Sequence, residues 1–254
     1  MDILRRELNG IYSAQHLERE SLSEEAVIAV RGMAKMMVKV SNACAVITDA
    51  SRDSSYVYAG GFGRLMGFSE DKNLCVEVAS SDEDEIYNRI HPEDLVEKRM
   101  LEYEFFKMVD AVEDKEVYKA TCRIRMMDRG GVYRYVDNST QVIKASPGGK
   151  IWLILCCYDL SPVQEGDGIV PRVVNNDTGE VVALSFDDRR KNVLTVREKE
   201  ILRLVQEGMP SKQIADRLGI SVHTVSRHRQ NIIEKLSVGN SIEAVMAASA
   251  MKLL

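Results

Sequence analysis

The chain lacks any apolar run that could cross a membrane. Its longest, Ile151 to Tyr158, falls far short of the roughly 20 residues a spanning helix needs. The N-terminus mixes Asp2, Arg5, Arg6 and Glu7 among isolated apolar residues, so no secretory leader is expected, and a cytoplasmic protein with no membrane partner follows. Five cysteines (Cys44, Cys75, Cys122, Cys156, Cys157) are odd in number and form no C-x-x-C pair. That argues against a disulfide framework and against a zinc or other metal site, and leaves the thiols as small buried hydrophobes. Catalytic signatures are also missing: there is no phosphate-cradling glycine loop ending in Lys-Ser/Thr, no H-E-x-x-H and no G-x-S-x-G. Asp82-Glu83-Asp84-Glu85 has no partner base and reads as a solvated helix start. No catalytic residue, and no enzyme, is expected.

What is present is a soluble, two-domain composition. Of 254 residues, 45% are hydrophobic and 29% charged, the balance of a globular chain rather than a disordered one. The formal charge of -5 is uneven: Leu194 to Leu254 carries nine Lys and Arg against six Asp and Glu, so this end is +3 and the remainder -8. A basic end on an acidic body suits a polyanion partner.

Residues 1–39 read as an N-terminal helical segment. Ile3, Leu4, Leu8 and Ile11 recur at helical spacing, Ala26 to Val40 is a second periodic stretch, and Ser21 with Glu24 looks like its cap. Such a pair serves equally as a dimerisation element or as a cover for the next domain. Residues 40–163 then turn to strands: Cys44 to Thr48, Ser55 to Ala59, a short helical piece over Arg64 to Gly67, and a longer helix from His91-Pro92-Glu93-Asp94-Leu95 to about Val109. Three more strands follow, Tyr118 to Met127, Val132 to Ile143 and Lys150 to Tyr158, separated by Asp128-Arg129-Gly130-Gly131 and Ser146-Pro147-Gly148-Gly149. Residues 164–192 form a linker with a small hairpin over Arg172 to Ala183.

The order of these elements resembles the PAS sensor fold, through His91-Pro92-Glu93-Asp94, Arg123-Ile124-Arg125 before the glycine turn, and the closing Leu153 to Ser161. The resemblance implies a domain that responds to a small molecule or a protein signal. No cofactor is evident: the Asn-Cys-Arg motif of flavin photoreceptors is absent and no histidine is placed for haem. An unknown small molecule could sit against Tyr133, Tyr135 and Trp152, although core packing is the commoner fate of such aromatics.

Residues 193–254 carry the strongest pattern. Thr195-Val196-Arg197-Glu198 is a capping box, Ile201, Leu202, Leu204 and Val205 form a buried side, and Gly208 ends the helix. Ser211 to Leu218, with Ile214, Ala215 and Leu218 apolar, is a short second helix, and Gly219 turns the chain. Ser221 caps a third helix reaching about Leu236, and Ser241 to Met251 supplies a fourth: the layout of a helix-turn-helix. At about 100° per residue, Val222, Val225, Ile232, Ile233 and Leu236 make one stripe of the third helix, and His223, Arg227, Gln230 and Glu234 the opposite one, bordered by Ser226. Arg and Gln read guanine and adenine edges in two-point fashion.

Leu194-Thr195, Arg197-Glu198, Gly208, Ile214-Ala215, Leu218, Ile220-Ser221, Thr224-Val225, His228, Ile232 and Lys235-Leu236 together resemble LuxR-type helix-turn-helix domains. The resemblance implies a base-reading set of Ser226, Arg227 and Gln230, joined here by His223, and a fourth helix that dimerises through Ile242, Val245, Met246 and Ser249. Phosphate contacts are expected from Thr224, Asn231, Ser211, Lys212 and Lys235. Two departures stand out. Pro210 occupies a usual serine position, and Arg229 interrupts the apolar stripe, where it could snorkel or pair with a first-helix carboxylate.

The expected fold is α+β: a PAS-like antiparallel sheet domain with flanking helices, then an all-α four-helix helix-turn-helix domain. The expected function is a dimeric transcription regulator that binds double-stranded DNA. No acid cluster with phospho-acceptor Asp and Lys marks a receiver domain ahead of it. The alternative is an adaptor whose helix-turn-helix contacts protein instead of DNA.

Overall fold

The computed structural model describes residues 3–68, 74–78, 84–166, 169–184, 193–236, 238–250 and 253–254, so Asp82 and Glu83 of the acidic stretch lie outside the described residues. The chain divides into two compact units, Leu8–Leu184 and Ser185–Leu254, the latter grouped with Met1–Glu7. No helix among the described residues is long and apolar enough to cross a membrane.

The chain opens with α1 (Ile3–Ser13), a 3₁₀ turn (Leu17–Arg19) and α2 (Glu24–Ser41). The cap of α2 is Ser23, not Ser21: Ser23 has extended φ and ψ and its Oγ accepts from Ala26 N at 3.3 Å, with Glu24 and Glu25 in the first turn favouring the helix dipole. Strands β1 (Cys44–Asp49) and β2 (Ser54–Ala59), helix α3 (Gly61–Met66), β3 (Leu74–Val78), α4 (Asp84–Tyr87) and α5 (Pro92–Asp110) follow. The meander β4 (Tyr118–Met127), β5 (Tyr133–Ala145) and β6 (Ile151–Leu160) completes the domain, and β7 (Arg172–Asn175) and β8 (Val181–Ala183) form the hairpin.

All neighbours in the sheet run antiparallel, in the order β3-β2-β1-β6-β5-β4-β7-β8. The last meander strand, β6, lies at the centre, with β1 and β2 on one side and β5 and β4 on the other: the PAS-like arrangement. Two differences from the sequence reading enlarge the sheet. The short β3 extends one edge, and the hairpin read as part of a linker pairs through Arg172 and Val173 with Thr121 and Ala120, continuing the sheet past β4.

Helix α2 covers one sheet face, where Val27, Ala34 and Val38 pack in one buried cluster with Ala45, Ile47, Tyr56, Tyr58, Trp152 and Leu153. Gln15 stitches the N-terminal segment to the domain, its Nε2 donating to Asp110 Oδ1 at 3.2 Å and its Oε1 accepting from Ile151 N at 2.9 Å. Helix α5 is buried around most of its circumference. It begins at His91, whose Nδ1 accepts from Glu93 N and whose ring meets Tyr133 edge-on at 4.7 Å. Burial first, and then Arg125, hold this imidazole below its ordinary range and so neutral. Arg125 of β4 grips Asp94 from two nitrogens, at 3.1 and 2.6 Å, and reaches Glu93 at 2.8 Å. Two of the three stretches that carried the PAS resemblance are therefore one contact between α5 and β4. At the turn that follows, Asp128 Oδ1 accepts from Gly130 and Val132 N, and Gly131 takes the positive φ of 82° that favours glycine.

The C-terminal unit contains α6 (Val196–Gln206), α7 (Ser211–Leu218), α8 (Val222–Leu236) and α9 (Ser241–Ala250). Leu194, Ile201, Leu202, Leu204, Ile214, Val225, Ile232 and Leu236 are buried together with Ala244, Ala247 and Ala248 of α9. The capping box forms as read: Glu198 N donates to Thr195 Oγ1 at 3.2 Å and Thr195 N to Glu198 Oε2 at 2.8 Å. The same buried carboxylate accepts from Lys235 Nζ at 2.7 Å, joining the start of α6 to the end of α8.

Two stability tests follow. Asp94→Ala leaves Arg125 with less compensation, and because that guanidinium is about a quarter exposed the expected loss is about 2 kcal/mol, read as a lower urea midpoint. An unchanged midpoint excludes the role given to this contact. For Glu198, burial raises the pKa but the Lys235 and Thr195 donors outweigh it, so the folded value lies below the ordinary 4.5. Its stabilisation is thus present above pH 4.5 and lost as pH falls through the lower folded value. Lys235→Met should cost about 1–2 kcal/mol at neutral pH and flatten this acid dependence in thermal melts of the C-terminal transition.

Candidate nucleic-acid interface

The third helix of the C-terminal unit, α8, is amphipathic in a way that leaves a polar row outside. Val225, Ile232 and Leu236 are buried, and His223, Ser226, Arg227, Gln230 and Glu234 are all exposed. The structure thus brings the four expected base readers onto one accessible helix face. Gln230 Nε2 donates to Glu234 Oε1 at 3.2 Å, which holds the amide along the helix surface. Val222 departs from the expected core stripe: it sits in the first turn and is about half exposed, and Ile233 is only partly covered.

Several residues expected on phosphates are occupied within the chain. Ser221 Oγ accepts from Thr224 N at 3.0 Å and lies 2.8 Å from Thr224 Oγ1, so Thr224 belongs to the cap of α8. Ser211 Oγ accepts from Arg229 Nη1 at 2.9 Å, while Arg229 Nε donates to Ser241 Oγ at 3.0 Å. Arg229 therefore neither snorkels nor meets a first-helix carboxylate; it ties together the first residues of α7 and α9. Lys235 is the Glu198 partner described above. Lys212 is exposed at the start of α7, and Asn231 is partly exposed on α8.

Pro210 is the N-cap of α7 rather than a residue of its first turn, with φ -70° and ψ 155° and no side-chain cap bond. Its ring fixes a φ close to the one needed, and its carbonyl accepts from Ile214 N at 3.1 Å, so the helix forms without serine. Gly219 then takes φ 63° and closes α7, whose final carbonyl, Leu218 O, accepts from Arg197 Nη2 at 3.0 Å. On α9, Ile242 and Met246 are largely exposed and Val245 partly so; Ser249 Oγ accepts from Gln206 Nε2 at 3.4 Å.

In the PAS-like domain the three aromatics named from sequence are not brought together. Tyr133 lies against His91; Tyr135, two residues along, lies under Arg123 and donates to Gly166 O. Trp152 is at the far end of the β5–β6 pair, buried beneath α2 with Nε1 on Asp49. The polar interior lies elsewhere. Lys98 and Glu102 of α5 form a fully buried ion pair with Tyr87, whose hydroxyl is 3.0 Å from both Glu102 oxygens. Nearby, buried Asn138 donates to Cys157 O at 2.9 Å and to Cys156 Sγ at 3.4 Å, and Thr140 also reaches Cys156. Burial pulls the Lys98 pKa down, yet Glu102 more than offsets it and keeps the amine charged. The Lys98–Glu102 spacing of one helical turn was visible in the sequence, but the same spacing is commonest on solvated helices. His91, Glu93 and Asp94 have ligand atoms within 4.8 Å of one another, but Arg125 already occupies both acids. None of the five cysteines is joined in a disulfide.

Comparison with known proteins agrees with this geometry. Residues 192–248 match the family model of bacterial regulatory proteins, luxR family. The transcriptional regulatory protein UhpA of Escherichia coli (strain K12) is 24% identical over 219 residues, covering 78% of this chain and 95% of that protein. The transcriptional regulatory protein DesR of Bacillus subtilis (strain 168) is 50% identical over 54 residues, 21% of this chain and 27% of DesR. Among solved structures, the phage VqmA–DPO complex covers 89% of both chains at 16% identity with a TM-score of 0.30, a likeness too low to equate individual residues. The C-terminal domain of this chain, with an exposed polar face on its third helix, is a DNA-binding domain of the luxR family of bacterial regulatory proteins.

Proposed function

We propose that the protein is a dimeric transcription regulator in which α8 enters a major groove and reads bases through Ser226, Arg227, Gln230 and His223, while the PAS-like domain responds to a small-molecule or protein signal. The observation that carries this reading is the row of exposed polar side chains backed by buried Val225, Ile232 and Leu236. Lys212 and Asn231 flank that row as phosphate contacts, whereas Thr224, Ser211 and Lys235 act chiefly by holding the helices in place. The exposed pair Ile242 and Met246, with Val245, supports dimer contact through α9. UhpA, similar along most of its length, is by its description a transcriptional regulator, and the luxR-family match supports the same reading here. In the sensor, the interior around Lys98, Glu102, Asn138 and Thr140 is better suited to a polar small molecule than the separated Tyr133, Tyr135 and Trp152.

Selection from random duplex pools should enrich one motif with the wild-type chain. Arg227→Ala and Gln230→Ala should each flatten preference at one position, by about 1–3 kcal/mol of base discrimination. Lys212→Ala should weaken all sequences alike and reduce the salt slope by about one. An absence of any enriched motif together with a nearly salt-independent affinity would favour an adaptor that docks protein through this domain.

A further inference from the structure

Helix α2 has two faces, and the sheet uses only one of them. Val27, Ala34 and Val38 are buried against the sheet, whereas Ile28 is 62%, Met36 60% and Val40 84% exposed, with Met33 also exposed. Wound at about 100° per residue, Glu25, Ile28, Gly32, Met36 and Lys39 fall within about 40° of a single line, about 140° around the helix from the buried stripe.

Gly32 stands at the middle of that line. Glycine weakens a helix interior relative to alanine, and here its own chain gives no reason for it: a Cβ added at Gly32 would meet nothing within 4 Å. A missing side chain at an exposed position lets another backbone approach closely. The charges are ordered as well, with Glu24 and Glu25 at the start of α2 and Lys35 and Lys39 near its end.

We infer that α2 is a homodimer interface in which two copies of the chain cross antiparallel at Gly32. A two-fold axis there places Gly32 against its own copy, Ile28 against Met36 of the partner subunit, and Glu25 against Lys39 of the partner subunit. Only the antiparallel arrangement does this, since a parallel one sets like charges side by side. The inference deepens the dimeric reading above by adding a second contact, in the sensor unit, to the one on α9. The same helix then both covers the sheet and joins the subunits, so a change beneath it has a direct route to the dimer.

The test is sedimentation equilibrium of the full chain, with thermal melts alongside. Gly32→Leu places a helix-favouring side chain in open space, so its melting temperature should hold or rise while its dimer dissociation constant increases at least about tenfold. Met36→Glu should weaken the dimer similarly. Glu25→Lys and Lys39→Glu should each weaken it by about threefold, and the double reversal should return to within about twofold of wild type. The inference is overturned if Gly32→Leu and Met36→Glu leave the constant unchanged, or if the double reversal is no tighter than the weaker single variant. If Met246→Glu alone yields monomers while the α2 variants are silent, the α9 dimer stands and the α2 interface falls. A wild type that is monomeric throughout removes both dimer contacts, with base reading still judged separately by Arg227→Ala.

Discussion

One carboxylate sets the posture of the DNA-binding domain. Glu198 accepts from the Thr195 amide at the start of α6 and from Lys235 near the end of α8, and it does so while buried. A buried carboxylate is costly unless its oxygens are satisfied, so α8 can hold its orientation only with Lys235 drawn inward. Ser221 fixes the other end of α8 and Arg229 its middle, the latter bonding hydroxyls at the starts of α7 and α9. The exposed face of α8 is thus held by contacts at its start, middle and end, and in the proposed DNA complex such preorganisation lowers the ordering entropy that binding must overcome.

That economy of polar groups changes how the interface is understood. Ser211, Thr224 and Lys235 have the chemistry of phosphate ligands, yet each is engaged within the fold. What remains outward is compact: Lys212 on α7 and the α8 row from His223 to Gln230. On that face a single copy has a small electrostatic footprint, and the proposed dimer compensates by doubling the contacts on a two-fold site.

The sensor unit follows a related rule. Asp94 and Arg125 lock α5 to β4, while Lys98 and Glu102 bury a charged pair, and Asn138 and Thr140 are buried polar groups of the same unit. Burying ions contributes little net stability, but it fixes which groups face one another and leaves hydrogen-bonding capacity where an apolar core would have none.

The sequence by itself determined the local and periodic features. The Thr195–Glu198 capping box, the Gly208 and Gly219 stops, the buried stripe of Val225, Ile232 and Leu236, and the meander strands all follow from short-range rules that need no distant partner. Only the tertiary structure decided what long-range contacts settle. It moved the α2 cap to Ser23, joined the hairpin to the sheet at β4, exposed Val222, drew Arg229 onto two serines and buried Lys98 with Glu102. The physical reason is the same in each case. A polar side chain's role depends on which groups reach it from elsewhere in the chain, and helical spacing alone does not distinguish a solvated lysine from a buried one.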